Sequence, residues 1–77
     1  MNKMRRKELG RAADMLREAY DIIQCCRDEE EEAYDNLPES FQDGEKGEEM
    51  QEYIDQMDEA MDSIEEAADT IEEIAGV

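Results

Sequence analysis

The sequence predicts an all-α protein: an antiparallel, coiled-coil-like two-helix hairpin that dimerises into a four-helix bundle. Three observations predict it. Apolar residues recur at alternating steps of three and four along two long stretches, the signature of helices with one buried stripe. The only proline, Pro38, stands between those stretches. The chain has 77 residues, and chains below about 70–80 residues rarely build a sufficient core without a disulfide, a metal or association.

The first stretch runs Leu9, Ala12, Leu16, Ala19, Ile23, Cys26, Glu30, Ala33 and Leu37, which alternate between positions a and d of a heptad. Ala13, Tyr20 and Tyr34 fall at e, and Met15 and Ile22 at g. This pattern predicts a helix over residues 3–35, with Gly10 its interior weak point at a cost of about 1 kcal/mol relative to alanine. Residues 36–46 read as a connector holding at most a single helical turn. Asn36 suits a cap, Pro38 a first turn, and Asp43-Gly44 a turn that needs positive φ. Leu37 and Phe41 are expected to tuck over the end of the helix pair.

The second helix is predicted over residues 47–75. Its a positions are Met50, Met57, Ile64 and Ile71, its d positions Tyr53, Ala60, Ala67 and Ile74, and its e positions Ile54, Met61, Ala68 and Ala75. At 1.5 Å per residue the two helices are each roughly 43–50 Å long. Matched lengths and a short connector predict an antiparallel hairpin, a single domain over residues 1–77.

Charge is extreme and unevenly placed. Residues 1–27 carry seven Lys/Arg against four Asp/Glu, and residues 28–77 carry Lys46 alone against 21 acids, for a net of −17. An antiparallel pair sets the basic Lys3, Arg5, Arg6, Lys7 and Arg11 beside Glu65, Glu66, Asp69, Glu72 and Glu73. Such a charge repels nucleic acid and anionic membranes, so neither is an expected direct partner. Self-repulsion predicts stability that rises with salt, which screens charges over about 10 Å at 0.1 M.

Two helices meeting along an a/d seam leave e and g wet. The stripe Leu16, Tyr20, Ile23, Tyr53, Ile54, Met57, Met61, Ile64 and Ile71 is therefore wider than a hairpin covers, and exposed apolar patches mark interfaces. A second copy, or a helix of another protein laid in the groove, would cover it.

Opposite the stripe, every b, c and f position from Glu52 to Glu73 is acidic: Glu52, Asp55, Asp58, Glu59, Asp62, Glu65, Glu66, Asp69, Glu72 and Glu73. Three carboxylates per heptad give one per roughly 3.5 Å of helix axis, close to the ~3.4 Å phosphate spacing of a DNA strand. Helix 1 adds a block, Asp28 to Glu32, then Asp35. Helix exteriors usually interleave Glu and Lys, because i, i+4 ion pairs support a helix and like charges weaken it. That support is given up here, which leaves three readings open: a solvated exterior with no ligand, a face that mimics DNA, and a face that meets a basic protein of another kind.

The remaining chemistry is sparse. The chain lacks histidine, so neither a zinc set nor a Glu-x-x-His di-metal site is available, and the EF-hand spacing is absent. Neither a metal nor any other cofactor is expected. Cys26, at d, reads as core, and Cys25, at c, as incidental. Glu30, at a, is expected to reach water, toward Arg27. No paired titratable groups and no pocket-sized core suggest catalysis. The basic start is followed by polar Glu8 and not by an apolar run, and no stretch approaches the roughly 20 apolar residues of a membrane span. A cytoplasmic protein with reduced cysteines is expected.

The stretch Asp28-Glu29-Glu30-Glu31-Glu32-Ala33-Tyr34-Asp35-Asn36-Leu37-Pro38-Glu39-Ser40, followed by a second acidic helix, resembles short acidic helical-hairpin proteins encoded on bacterial prophages and conjugative elements, over most of the chain. That group has no assigned activity. Mobile elements encode acidic decoys against restriction, CRISPR and repair proteins, so the resemblance implies an inhibitor of that kind. The expectation is a non-catalytic acidic interaction module whose partners are a second copy and a basic, nucleic-acid-binding protein. The alternative is a scaffolding module that binds a partner helix through its apolar stripe, with charge serving only solubility.

Overall fold

The computed structural model describes residues 1–76, which form three helices and, among those residues, no strand. Helix α1 spans Lys3–Asp35, the short α2 spans Glu39–Gln42, and α3 spans Glu45–Ala75. The side-chain oxygen of Asn2 accepts a hydrogen bond from the Arg5 N–H at 2.8 Å, which satisfies one of the N–H groups a helix start leaves unpaired. At the other end of α1 the Asn36 N–H donates to the Glu32 carbonyl at 3.1 Å. The Gln42 side-chain amide donates to the Tyr34 carbonyl at 3.1 Å and reaches that of Asp35 at 3.5 Å. The last carbonyls of α1 are thus occupied by a residue of the connector.

Helix α3 starts two residues earlier than expected, at Glu45, because its first turn carries no apolar residue to mark it. The left-handed turn expected at Asp43-Gly44 is absent: Asp43 has φ −84° and Gly44 φ −92°. Among the described residues only Gly76 has positive φ, at 80°. There it ends α3, its N–H donating to the Glu72 carbonyl at 2.9 Å, as helix-terminating glycines do. Leu37 is half-buried, but Phe41 is 57% exposed and does not tuck over the helix ends.

Helices α1 and α3 lie antiparallel, since Arg17 meets Glu72 while Arg27 meets Asp58. The molecule extends 58 × 14 × 12 Å with a radius of gyration of 17.2 Å, against roughly 11.5 Å for a compact globule of this length. It is a rod with one apolar seam.

That seam departs from the a/d expectation. Its buried residues are Ala13 on α1 and Met50, Ile54, Met61, Ala68 and Ala75 on α3, all at a or e. The a residues Leu9, Leu16, Ile23, Met57, Ile64 and Ile71 are half-buried, as are Tyr20 and Tyr34 at e. The d residues of α3 face outward: Tyr53 is 47% and Ile74 44% exposed, with Ala60 and Ala67 also exposed. Tyr20, Tyr34, Ile54 and Met61, expected on the wet flank, therefore belong to the seam, and Cys26, expected in the core, is exposed. Rolling the helices toward e buries Ile54 and Met61 in place of Ala60 and Ala67. It also brings the b and f acids of α3 within reach of Arg17 and Arg27.

Candidate functional site

At 3.6 residues per turn, d lies about 60° to one side of a and e about 40° to the other. With a and e facing inward, g lies beyond d, and b and f lie beyond e. In an antiparallel pair both d/g sides fall on one face of the hairpin and both b/f sides on the opposite face. The two faces differ sharply in chemistry.

The d/g face is uncharged along most of its length. On α3 it runs Tyr53, Gln56, Ala60, Ser63, Ala67, Thr70 and Ile74, and on α1 it runs Ala12, Met15, Ala19, Ile22 and Cys26. Met15 is 60% and Ile22 59% exposed, as their g positions imply. Between the helices lies an open groove of about 580 Å³, lined by Ile23, Cys26, Glu30, Tyr53, Gln56, Met57 and Ala60. The Tyr53 hydroxyl donates to Glu49 Oε1 at 2.8 Å. That bond, with the nearby charge of Glu49, raises the phenol above its ordinary pKa and keeps it protonated. Glu30 lines this groove and is not engaged by Arg27, whose expected direction is corrected by the ion pairs on the opposite face.

The b/f face is acidic, with two arginines bridging it. Arg17 Nη2 donates to Asp69 Oδ1 at 2.6 Å and to Glu72 Oε1 at 2.8 Å, while its Nε donates to Glu72 Oε2 at 3.3 Å. The Glu72 carboxyl is held below its ordinary pKa, mainly by that two-pronged bond. Arg27 Nε donates to Asp58 Oδ1 at 2.8 Å, and its Nη1 pairs with Glu31 and with Asp28. Both guanidinium groups are pushed above their already high range by these acceptors.

Three of the ten acids expected on one charged face are thus tied to arginine: Asp58, Asp69 and Glu72. Among the described residues no ion pair involves Glu52, Asp55, Glu59, Asp62, Glu65, Glu66 or Glu73, and all seven are exposed. Across this span they supply one carboxylate per roughly 5 Å of axis, sparser than the sequence count suggests. Helix α1 adds charge beyond the block Asp28 to Glu32 and Asp35 that the sequence reading includes, since Asp14 and Asp21 continue the same row. Its f positions Asp14, Asp21, Asp28 and Asp35 are all exposed aspartates, like Asp55, Asp62 and Asp69 on α3, so two aspartate rows run along one face. Their interval of seven residues was the available signal. Of the basic N-terminal cluster, only Arg11 forms an ion pair among the described residues, and its partner is Glu8.

Among the described residues no three cysteine, aspartate or glutamate side chains converge as a metal-ion site. No helix among them is long and apolar enough to cross a membrane. Comparison with protein-family models, curated proteins and solved structures finds no match to this chain.

Proposed function

We propose that this chain is a non-catalytic acidic interaction module whose b/f face occupies a basic, nucleic-acid-binding surface of another protein as a mimic of DNA. In this reading it is an inhibitor encoded by a prophage or conjugative element. It acts in the cytoplasm as a homodimer of hairpins, a four-helix bundle. The observation that carries the proposal is the pair of aspartate rows on one face of a rigid rod, flanked by Glu52, Glu59, Glu66 and Glu73 at the outer edge. Two parallel lines of anionic groups are what a basic DNA-binding surface meets across the two strands of a duplex. Placing uncharged residues on the other face leaves Glu52, Asp55, Glu59, Asp62, Glu65, Glu66 and Glu73 exposed and, among the described residues, outside the ion pairs that join the helices.

The test is capture of a basic nucleic-acid-binding protein by the tagged chain at about 50 mM and then about 500 mM salt, with duplex DNA as competitor. Capture should fall by roughly tenfold or more at high salt and be displaced by DNA. Asp55→Asn, Asp62→Asn and Glu65→Gln together should weaken it without unfolding the chain, since none of the three joins an ion pair among the described residues. Capture that ignores salt, DNA and these substitutions would overturn the mimic. It would favour the scaffolding alternative, which the groove beside Tyr53 and Met57 supports.

A further inference from the structure

We infer that a second copy of this chain docks on the d/g face with its long axis reversed, about a two-fold axis crossing α1 at Ile22–Ile23 and α3 at Ser63–Ile64. This rests on the dimeric assembly proposed above and specifies its face, register and polarity. Three observations carry it: charge, register and area.

On a chain of net charge −17 the least charged surface is the one that can meet its own copy, and the d/g face qualifies. It is uncharged from Ala12 to Cys26 and from Tyr53 to Ile74, and within the overlap carries only Glu29 and, in the groove, Glu30. Polarity follows from where the charge sits along the rod. Residues 1–22 and 64–76, at the end away from the connector, carry six Lys/Arg and nine Asp/Glu, a net of −3. Residues 23–63, at the connector end, carry two Lys/Arg and sixteen Asp/Glu, a net of −14. Parallel copies would set fourteen net negative charges against fourteen, whereas reversed copies set fourteen against three. Reversal also carries the overhanging Lys3–Lys7 over the acidic connector of the other copy.

The register is self-complementary. Across the proposed axis Tyr53 faces Ile74 of the second copy, Ala60 faces Ala67, and on α1 Ala19 faces Cys26. The axis that pairs the d residues of α3 crosses at the level of the one that pairs those of α1, given that Arg27 lies beside Asp58 in the hairpin. Alanines near the centre permit close approach of the helices.

The area suffices. Overlap along about 36 Å of two helices, each about 10 Å across, covers roughly 700 Å² per copy, near the roughly 800 Å² per partner of a stable interface. The hairpin exposes 5855 Å², about 1,000 Å² more than a globule of its mass. Docking removes most of that excess.

The test uses the full chain with Cys25→Ser, so that Cys26 is the only native thiol. In the reversed dimer Ala19→Cys stands opposite Cys26 of the other copy, within the Cα separation of about 4.4–6.8 Å that a disulfide needs. Mild oxidation should give a covalent dimer in high yield. Ala60→Cys in the same background should give none, because Cys26 of the other copy faces it only if the copies are parallel. Without substitution the chain should sediment as a dimer, and Ser63→Glu, which opposes two carboxylates at the axis, should raise the dissociation constant about tenfold or more with helicity kept. Sedimentation of the unsubstituted chain as a monomer up to about 100 μM would overturn the inference, as would covalent dimers from Ala60→Cys but not from Ala19→Cys. A dimer that captures no DNA-binding protein would overturn only the decoy function.

Discussion

Gly47 lies against the backbone of Gln42 so closely that a Cβ on it would stand 2.7 Å from the Gln42 Cα and nearer still to the carbonyl. This contact lets α3 start directly beside α2. It also holds Gln42 where its side chain meets the carbonyls of Tyr34 and Asp35, so one glycine joins the connector to both long helices.

Gly47→Ala should therefore destabilise the hairpin by about 1–3 kcal/mol, the usual range for forcing atoms into a filled site. Gly10→Ala should do the opposite. A Cβ there meets nothing within 4 Å, and alanine in a helix interior gains about 0.5–1 kcal/mol over glycine. Urea unfolding of the two variants beside the parent would show opposite signs, and a neutral Gly47→Ala would remove the contact from this account.

The a/e seam makes a second prediction, from two isoleucines on one helix. Ile54 is 4% exposed, against 44% for Ile74. Ile54→Val should cost about 0.5–1.5 kcal/mol, while Ile74→Val in dilute, monomeric protein should change stability by less than about 0.5 kcal/mol. Equal costs would return the seam to a/d.

The third concerns acid. Arg17 holds the Glu72 carboxyl below its ordinary range, which is about 4.3 for glutamate. A carboxyl depressed in the folded state adds stability that is present above the unfolded value and lost as pH falls through the folded one. The stability gap between the parent and Glu72→Gln should therefore be full at neutral pH and close below about pH 4. General relief of repulsion on acidification affects both proteins alike and cancels in the difference. A gap independent of pH would mean the Arg17–Glu72 bond contributes nothing in solution.

Much of this was legible before any coordinates. Alternating steps of three and four gave the two long helices, Pro38 gave the break, and the run of acids without lysine from Glu48 onward gave a strongly charged exterior. Of the α1 aspartates at intervals of seven, Asp28 and Asp35 stand out in the sequence as part of an acidic block. Asp14 and Asp21 sit singly among basic and apolar neighbours and, beyond the interval itself, show their row only on the folded face.

Local sequence therefore determined that the chain is helical, where it turns and that it is acidic, since periodicity and proline act within a few residues. Tertiary structure decided which side of each stripe the helices share. Positions d and e flank a almost symmetrically, so one helix alone cannot choose between them. The choice came from burying Ile54 and Met61 together with the meeting of Arg27 with Asp58 and of Arg17 with Glu72. Those contacts join residues far apart in the chain, and by turning d outward they left one face of the rod uncharged along most of its length and the other acidic.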